Sequence, residues 1–204
     1  MEVAPSELVV LVDEGNTPLG TMLKSEVHSA QTPLHRAFSL FLFNARGEFL
    51  LQRRSAEKKA WPLTWSNSCC GHPGPGEDNE TAIRRRLRDE LGVAGHTEIR
   101  HVSDYRYRFT KDGIEENEIC PVFLGRTDAM VNPNSAEIDG IRWMSWKDFT
   151  DELKENPSVY SPWCIEETLL VDGRLEELAL SFNPPLDVSR QATARIAHGV
   201  LGAH

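Results

Sequence analysis

The chain has 204 residues, is 40% apolar and carries 31 acidic against 22 basic side chains, for a net charge of −9. That length and apolar share suit one compact domain with a proper core, and the acidic balance excludes a general nucleic-acid binder, which needs a broad basic surface. No run approaches the roughly 18 apolar residues that span a bilayer, and the N-terminus lacks a basic segment followed by an apolar one, so the expected compartment is the cytoplasm. There Cys69, Cys70, Cys120 and Cys164 are expected as thiols, the adjacent Cys69 and Cys70 being poor bridging partners.

In chain order, residues 7–13 (ELVVLVD) read as a strand ended by the turn-rich EGNTPLG. The stretch HRAFSLFLFNARGEFLLQRR holds two β-rich runs around Asn44-Ala45-Arg46-Gly47, a hairpin that puts His35 at a strand's start. Residues 78–91 predict a helix with Asp78 or Asn79 as N-cap, Gly92 as stop, and Ile83, Leu87 and Leu91 as its buried stripe. IRHVSDYRYRFT and ENEICPVFLGR read as a second hairpin about KDGIE, IDGIRWMSW as a further strand, and Ser145 as the cap of a helix over WKDFTDELKEN. SPWCIEETLLVDGRLEELALSF reads as one long helix with Pro162 in its first turn. Residues 185–204 carry only a hint of a short helix. Strands mixed with segregated helices make an α+β fold, a mixed sheet flanked by helices, in a single domain over 1–204 with its core at about 7–180.

Two features carry chemistry. The first is a loop, NSCCGHPGPGE, running into the basic helix. Gly71, Glu77, Arg85, Leu87, Glu90, Gly92 and Val93 are spaced as in the Nudix box, a loop and helix that present carboxylates to magnesium on a diphosphate; the likeness is partial, because Arg86 and Asp89 stand where glutamates belong. Arg86 and Glu90, four apart, share a helix face. The second is His28, His35 and His72 with Glu116 and Glu118. Two residues apart on a strand, the two glutamates point one way, and three imidazoles with two carboxylates suit Zn²⁺, Mn²⁺ or Fe²⁺ better than Mg²⁺.

Several separated segments, LHRAFSLFLFN, KKAWPLTWSNS, NSCCGHP, GIEENEICPVF and SPW, together resemble the type I isopentenyl-diphosphate Δ-isomerases, the metal-dependent, flavin-independent class on the Nudix fold. The resemblance implies interconversion of isopentenyl and dimethylallyl diphosphate for isoprenoid synthesis, with a small allylic or homoallylic diphosphate as the partner, in a monomer or homodimer. It implies Cys70 and Glu118 as the facing acid and base, Tyr107 as proton relay and Trp163 as the π face for a carbocation. It further implies Lys24, Arg54, Lys58 and Arg86 as diphosphate contacts, Mg²⁺ on Glu90 and the Cys70 carbonyl, and Mn²⁺ or Zn²⁺ in the histidine site. Near cations, the Cys70 thiol is expected below its usual ~8.5. Arg53, Lys59, Arg84 and Arg88 read as surface charge, and Cys69, Cys120 and Cys164 as bystanders. The rivals are a Nudix hydrolase, which needs the full glutamate cluster but no Cys70, and a non-catalytic metal-binding regulator.

Overall fold

The computed structural model describes residues 8–189. The hint of a helix near the C-terminus falls largely on residues outside that range, and 185–189 are not helical. The described elements run β1 (Leu8–Val12), β2 (Pro18–Leu23), α1 (Lys24–Val27), β3 (His35–Arg36), β4 (Phe38–Phe43), β5 (Phe49–Arg54), β6 (Trp65–Ser66), β7 (Cys69–Gly71), α2 (Asn79–Leu91), β8 (Thr97–Ser103), β9 (Arg106–Lys111), β10 (Ile114–Ile119), β11 (Val122–Thr127), β12 (Ile138–Met144), α3 (Trp146–Glu155), α4 (Pro162–Asp172) and α5 (Leu175–Leu180).

Two mixed sheets result, one ordered β2-β1-β3-β10-β9 and the other β12-β5-β4-β11-β8, with β6 on β5 and β7 on β4. Strand β4 shows why the sequence builds this. All six of its residues are buried, and they alternate between two cores, as a period of two requires. Phe38, Leu40 and Leu42 pack with Ile83, Leu87 and Leu91 of α2, while Phe41 and Phe43 join Trp146, Phe149 and Trp163 on the other side. Burying each such side chain contributes about 1.5–3 kcal/mol. Helix α2 starts where the Asp78 carboxylate accepts from the Thr81 amide at 2.7 Å and stops at Gly92, whose φ of 63° is left-handed.

Three expectations are corrected. The segment after residue 13 is not all turn: a short turn at Glu14 and Gly15 leads into β2, which pairs with β1 from Leu8↔Leu23 to Val12↔Pro18. Pro18 is tolerated because β2 is an edge strand. The expected second hairpin is really β9–β10 alone, turning at Asp112 and Gly113 with φ of 52° and 77°; β8 and β11, read as parts of its two arms, belong to the other sheet. Both arms cross between sheets, at Asp104-Tyr105 and at Cys120-Pro121, where the prolyl nitrogen cannot continue a ladder. The long final helix is two, because the chain turns after Asp172 at Gly173, whose amide donates to the Leu169 carbonyl.

Candidate active site

Strand register assembles the site. Glu118 of β10 lies beside His35 of the parallel β3 and opposite Tyr107 of the antiparallel β9, so these three side chains form one row across the sheet and share a face. Glu116, two residues earlier, joins that face. From the other sheet, β7 pairs Cys70 with Ser39 of β4, and the chain leaving β7 delivers His72. Gly71 between them is required by packing: a Cβ there would lie 2.8 Å from the Arg86 side chain and 3.1 Å from the Phe38 ring. The loop beyond is fastened to α2 by Glu77, which takes the Arg85 guanidinium at 2.7 Å and the Gly74 amide at 2.8 Å.

The three imidazoles cluster with ring centroids 5.0 to 5.6 Å apart. His72 Nε2 and His35 Nε2 lie 2.9 and 3.3 Å from Glu118 Oε1, and His28 Nε2 lies 2.9 Å from Glu116 Oε2. Donor atoms of His28, His35, His72 and Glu118 all fall within 4.8 Å of one another, as a shared metal ion needs. The His35 Nδ1 proton is donated to the Pro33 carbonyl at 2.9 Å, which turns the Nε2 lone pair into the cluster. Buried polar atoms here go unsatisfied by hydrogen bonds within the protein: His28 Nε2, His35 Nε2 and Glu116 Oε2. Such orphans are costly, and a cation held by the four-residue set would satisfy the His28 and His35 nitrogens, with Glu116 beside His28 and outside that set. The residues therefore fit a metal.

Charge follows burial and neighbours. Desolvation drives the His72 imidazolium down to about 3, leaving a neutral ligand. Burial would also lower His35, but Glu118 outweighs it and the net direction is up. Burial alone would raise Glu118; the two imidazoles at its Oε1, His35 and then His72, outweigh it and hold its carboxyl well below the ordinary range. Its other oxygen, Oε2, accepts the Tyr107 hydroxyl. Burial, then the Glu118 charge, keep that phenol protonated.

Beside the cluster opens a cavity of about 410 Å³, lined by Cys70, His72, Tyr107, Glu116, Glu118 and Trp163 together with Lys24, Arg54, Lys58 and Glu90. Cys70 and Glu118 thus line one space. Trp163, 2% exposed, stacks on Tyr107 with rings 5.8 Å apart and 13° from parallel. Its indole N–H donates to Ser66 Oγ at 3.1 Å. Arg54 lies over the same ring at 5.5 Å and is steadied by the Ala60 carbonyl at 2.8 Å.

Two expectations about individual side chains change. The Cys70 thiol is not lowered: burial, then the Glu167 charge, push it up to about 12, outweighing Ser39, Asn67 and Arg54. It donates to Asn67 Oδ1 at 3.2 Å. Arg86 does not line this cavity. It is buried, paired with Glu90, and faces a neighbouring hollow with Glu77, Arg85 and Asp89. Lys59, read as surface charge, is exposed, and it also borders the cavity with its ammonium 3.4 Å from the Ser25 carbonyl. Sequence reasoning also missed Gln52, which lines the cavity, and Glu137, which contacts Lys58 and Arg86. Gln52 had a signal, since it sits two residues from Arg54 on β5 and shares its face; Glu137 had none.

This arrangement, two sheets around a loop and helix that offer a carboxylate beside a cationic cavity, is that of a Nudix-fold protein. The NUDIX domain family model matches residues 33–164. Two solved structures support the fold alone: DR0079 from Deinococcus radiodurans (TM-score 0.62, 23% identity, 80% of this chain and 98% of that one) and a MutT protein from Methanosarcina mazei (0.58, 19%, 71% and 96%). The chain is 49% identical over 159 residues to the isopentenyl-diphosphate Delta-isomerase of Paenarthrobacter aurescens, covering 78% of this chain and 86% of that protein. To the proteins of that name in Mycolicibacterium vanbaalenii and Klebsiella pneumoniae it is 44% and 43% identical, over 82% of its length and 93% and 92% of theirs. The chain belongs to the isopentenyl-diphosphate Delta-isomerase family.

Proposed function

We infer that this chain interconverts isopentenyl diphosphate and dimethylallyl diphosphate by adding a proton at C4 and removing one from C2, through a tertiary carbocation. The observation that carries the reading is the single cavity lined by both Cys70 and Glu118, with a phenol hydrogen-bonded to the Glu118 carboxylate. A double-bond shift without redox needs a proton donor on one side of a five-carbon chain and an acceptor on the other. In the protein alone, the first is the Cys70 sulfur, which holds its proton, and the second is Glu118, which holds none. Tyr107 orients the carboxylate and shuttles a proton at its oxygen. Trp163 offers a π face to the cation and, with Trp61 edge-on at 5.2 Å, helps keep water out; a desolvated cation–π contact is worth about 2 kcal/mol.

The diphosphate would lie toward Lys24, Arg54 and Lys58, with Arg86 acting from behind Glu90. His28, His35, His72, Glu116 and Glu118 would hold Mn²⁺ or Zn²⁺, and Glu90 with the Cys70 carbonyl would hold Mg²⁺. Bound there, the cations supply charge that stabilises a deprotonated Glu118 and neutralises phosphate oxygens. A cytoplasmic site of action fits this reading: none of Cys69, Cys70, Cys120 and Cys164 forms a disulfide, and among the described residues no helix is long and apolar enough to cross a membrane.

The test is turnover of isopentenyl diphosphate in D₂O with Mg²⁺ and Mn²⁺, followed by NMR. The expected result is deuterium entering C4 of the product and C2 of recovered substrate. Release of inorganic phosphate without double-bond migration would instead mark a hydrolase, and would sink the reading.

A further inference from the structure

Lys58, Arg86, Glu90 and Glu137 form a closed square of charge. The Lys58 ammonium contacts Glu137 Oε2 and lies 3.6 Å from Glu90 Oε1. The Arg86 guanidinium contacts Glu90 Oε1 and lies 3.4 Å from Glu137 Oε1. Each cation therefore shares two carboxylates, and the two carboxylates are not equivalent. Glu90 lines the cavity and is buried; Glu137 stays outside its lining, with a side chain 26% exposed.

Glu137 is also held by its backbone. Its amide donates to the Asn134 carbonyl at 3.0 Å, its carbonyl accepts from the Ser55 amide at 3.1 Å, and the Asn134 amide donates to the Glu90 carbonyl at 2.8 Å. The loop before β12 is thus pinned both to the end of α2 and to the segment that carries Lys58. Burial alone would raise the Glu137 carboxyl, but Lys58 and Arg86 bring it down to about 2, so it is fully charged at neutral pH.

We propose that Glu137 is a positioning residue of the diphosphate site, holding Lys58 and Arg86 in place once a divalent cation has taken the Glu90 carboxylate. This rests on the functional reading above, in which Glu90 binds a cation. Arg86 is 4% exposed, and withdrawing a carboxylate from a charge so buried is strongly unfavourable. A second carboxylate, outside the cavity lining, lets Glu90 change partners while the guanidinium keeps a carboxylate beside it. It also fixes the flexible Lys58 stem, so less conformational freedom is lost when phosphate binds.

The experiment compares wild type with Glu137→Gln, which keeps shape and removes charge, and Glu137→Asp, which keeps charge and shortens reach. Calorimetry measures binding of inorganic pyrophosphate with Mg²⁺, and steady-state kinetics measure KM and kcat for isopentenyl diphosphate. For Glu137→Gln the pyrophosphate affinity is expected to fall about tenfold and KM to rise by a similar factor, with kcat held within about twofold. Glu137→Asp is expected to fall between it and wild type. Unchanged affinity and KM, tighter pyrophosphate binding, or a loss confined to kcat would each overturn the proposal. If circular dichroism shows Glu137→Gln unfolded, Glu137→Asp is judged by the same criteria. A wild type that neither binds magnesium pyrophosphate nor turns over substrate would remove the functional reading itself, not this refinement of it.

Discussion

At the scale of single residues, the site separates two oppositely prepared groups by environment. Cys70 keeps its proton because its surroundings are dry; Glu118 sheds its proton because two imidazoles face one of its oxygens. Cys70→Ala should therefore lower kcat by about 10² to 10⁴ with folding unchanged, and Glu118→Gln by at least as much, since it disturbs both the proton site and the histidine cluster. A stopped assay and circular dichroism on both variants check this; near-wild-type turnover by Cys70→Ala would contradict the role given to the thiol. The unsatisfied atoms of His28, His35 and Glu116 predict that chelation lowers the melting temperature and that Mn²⁺ or Zn²⁺ restores it. At a hundredfold excess over Kd the gain is about 2.7 kcal/mol. In a His28→Ala, His72→Ala double variant, the added metal should produce little shift, as differential scanning fluorimetry would show. Most of these residues could be read from the sequence because histidines are few and fell into segments resembling a known family. Glu137 could not, since folding alone brings it from a distant loop onto Lys58.

The secondary-structure elements carry the site in different ways. Helix α2 reaches the second sheet closely enough that Arg86 lies against Gly71, and any Cβ at position 71 collides with both it and Phe38. Gly71→Ala should cost about 1–3 kcal/mol through overpacking and also reduce activity, because Cys70 and His72 flank the crowded position. Asp78→Ala removes only the cap of α2, costs about 1 kcal/mol, and should leave kcat intact. Urea unfolding with kinetics on both variants separates the two effects. Equal activity losses would show that Gly71 has no special bearing on the site. Helix α2 was predictable to within a residue because cap, stripe and stop all agree. The apparent long arms of the second hairpin were not, since a β-rich run looks alike whether it stays in one sheet or passes to the next; only Pro121 hinted at the passage.

For the molecule as a whole, Glu167 makes stability depend on pH. It is completely buried on α4, near the thiols of Cys70, Cys120 and Cys164, and desolvation raises its carboxyl well above 4.5. The folded state therefore holds a proton that the unfolded chain releases near its ordinary value, so the native form binds more protons and stability declines as pH rises above about 4.5. Glu167→Gln has no proton to lose: its melting temperature should match wild type near pH 4 and exceed it progressively toward pH 8. Parallel pH profiles for the two proteins would show that Glu167 is not held neutral. The two-core architecture was legible in the alternation along β4, whereas this buried acid was not, because its helix offers no pattern that distinguishes a concealed carboxyl from a solvated one.

The passage of β3 into β4, alongside β10 into β11, sets one further dimension. His35 aligns with Glu118 in the first sheet, Ser39 aligns with Cys70 in the second, and Ala37 and Ser39 donate to the Ile119 and Pro121 carbonyls at 2.9 and 3.1 Å. The span between sulfur and carboxylate is thus gauged by a few covalently continuous residues rather than by loosely packed domains. The gap acts as a fixed calliper: adding one residue between Arg36 and Ser39 would exchange the two faces of β4, so the spacing cannot be reset without disturbing both cores.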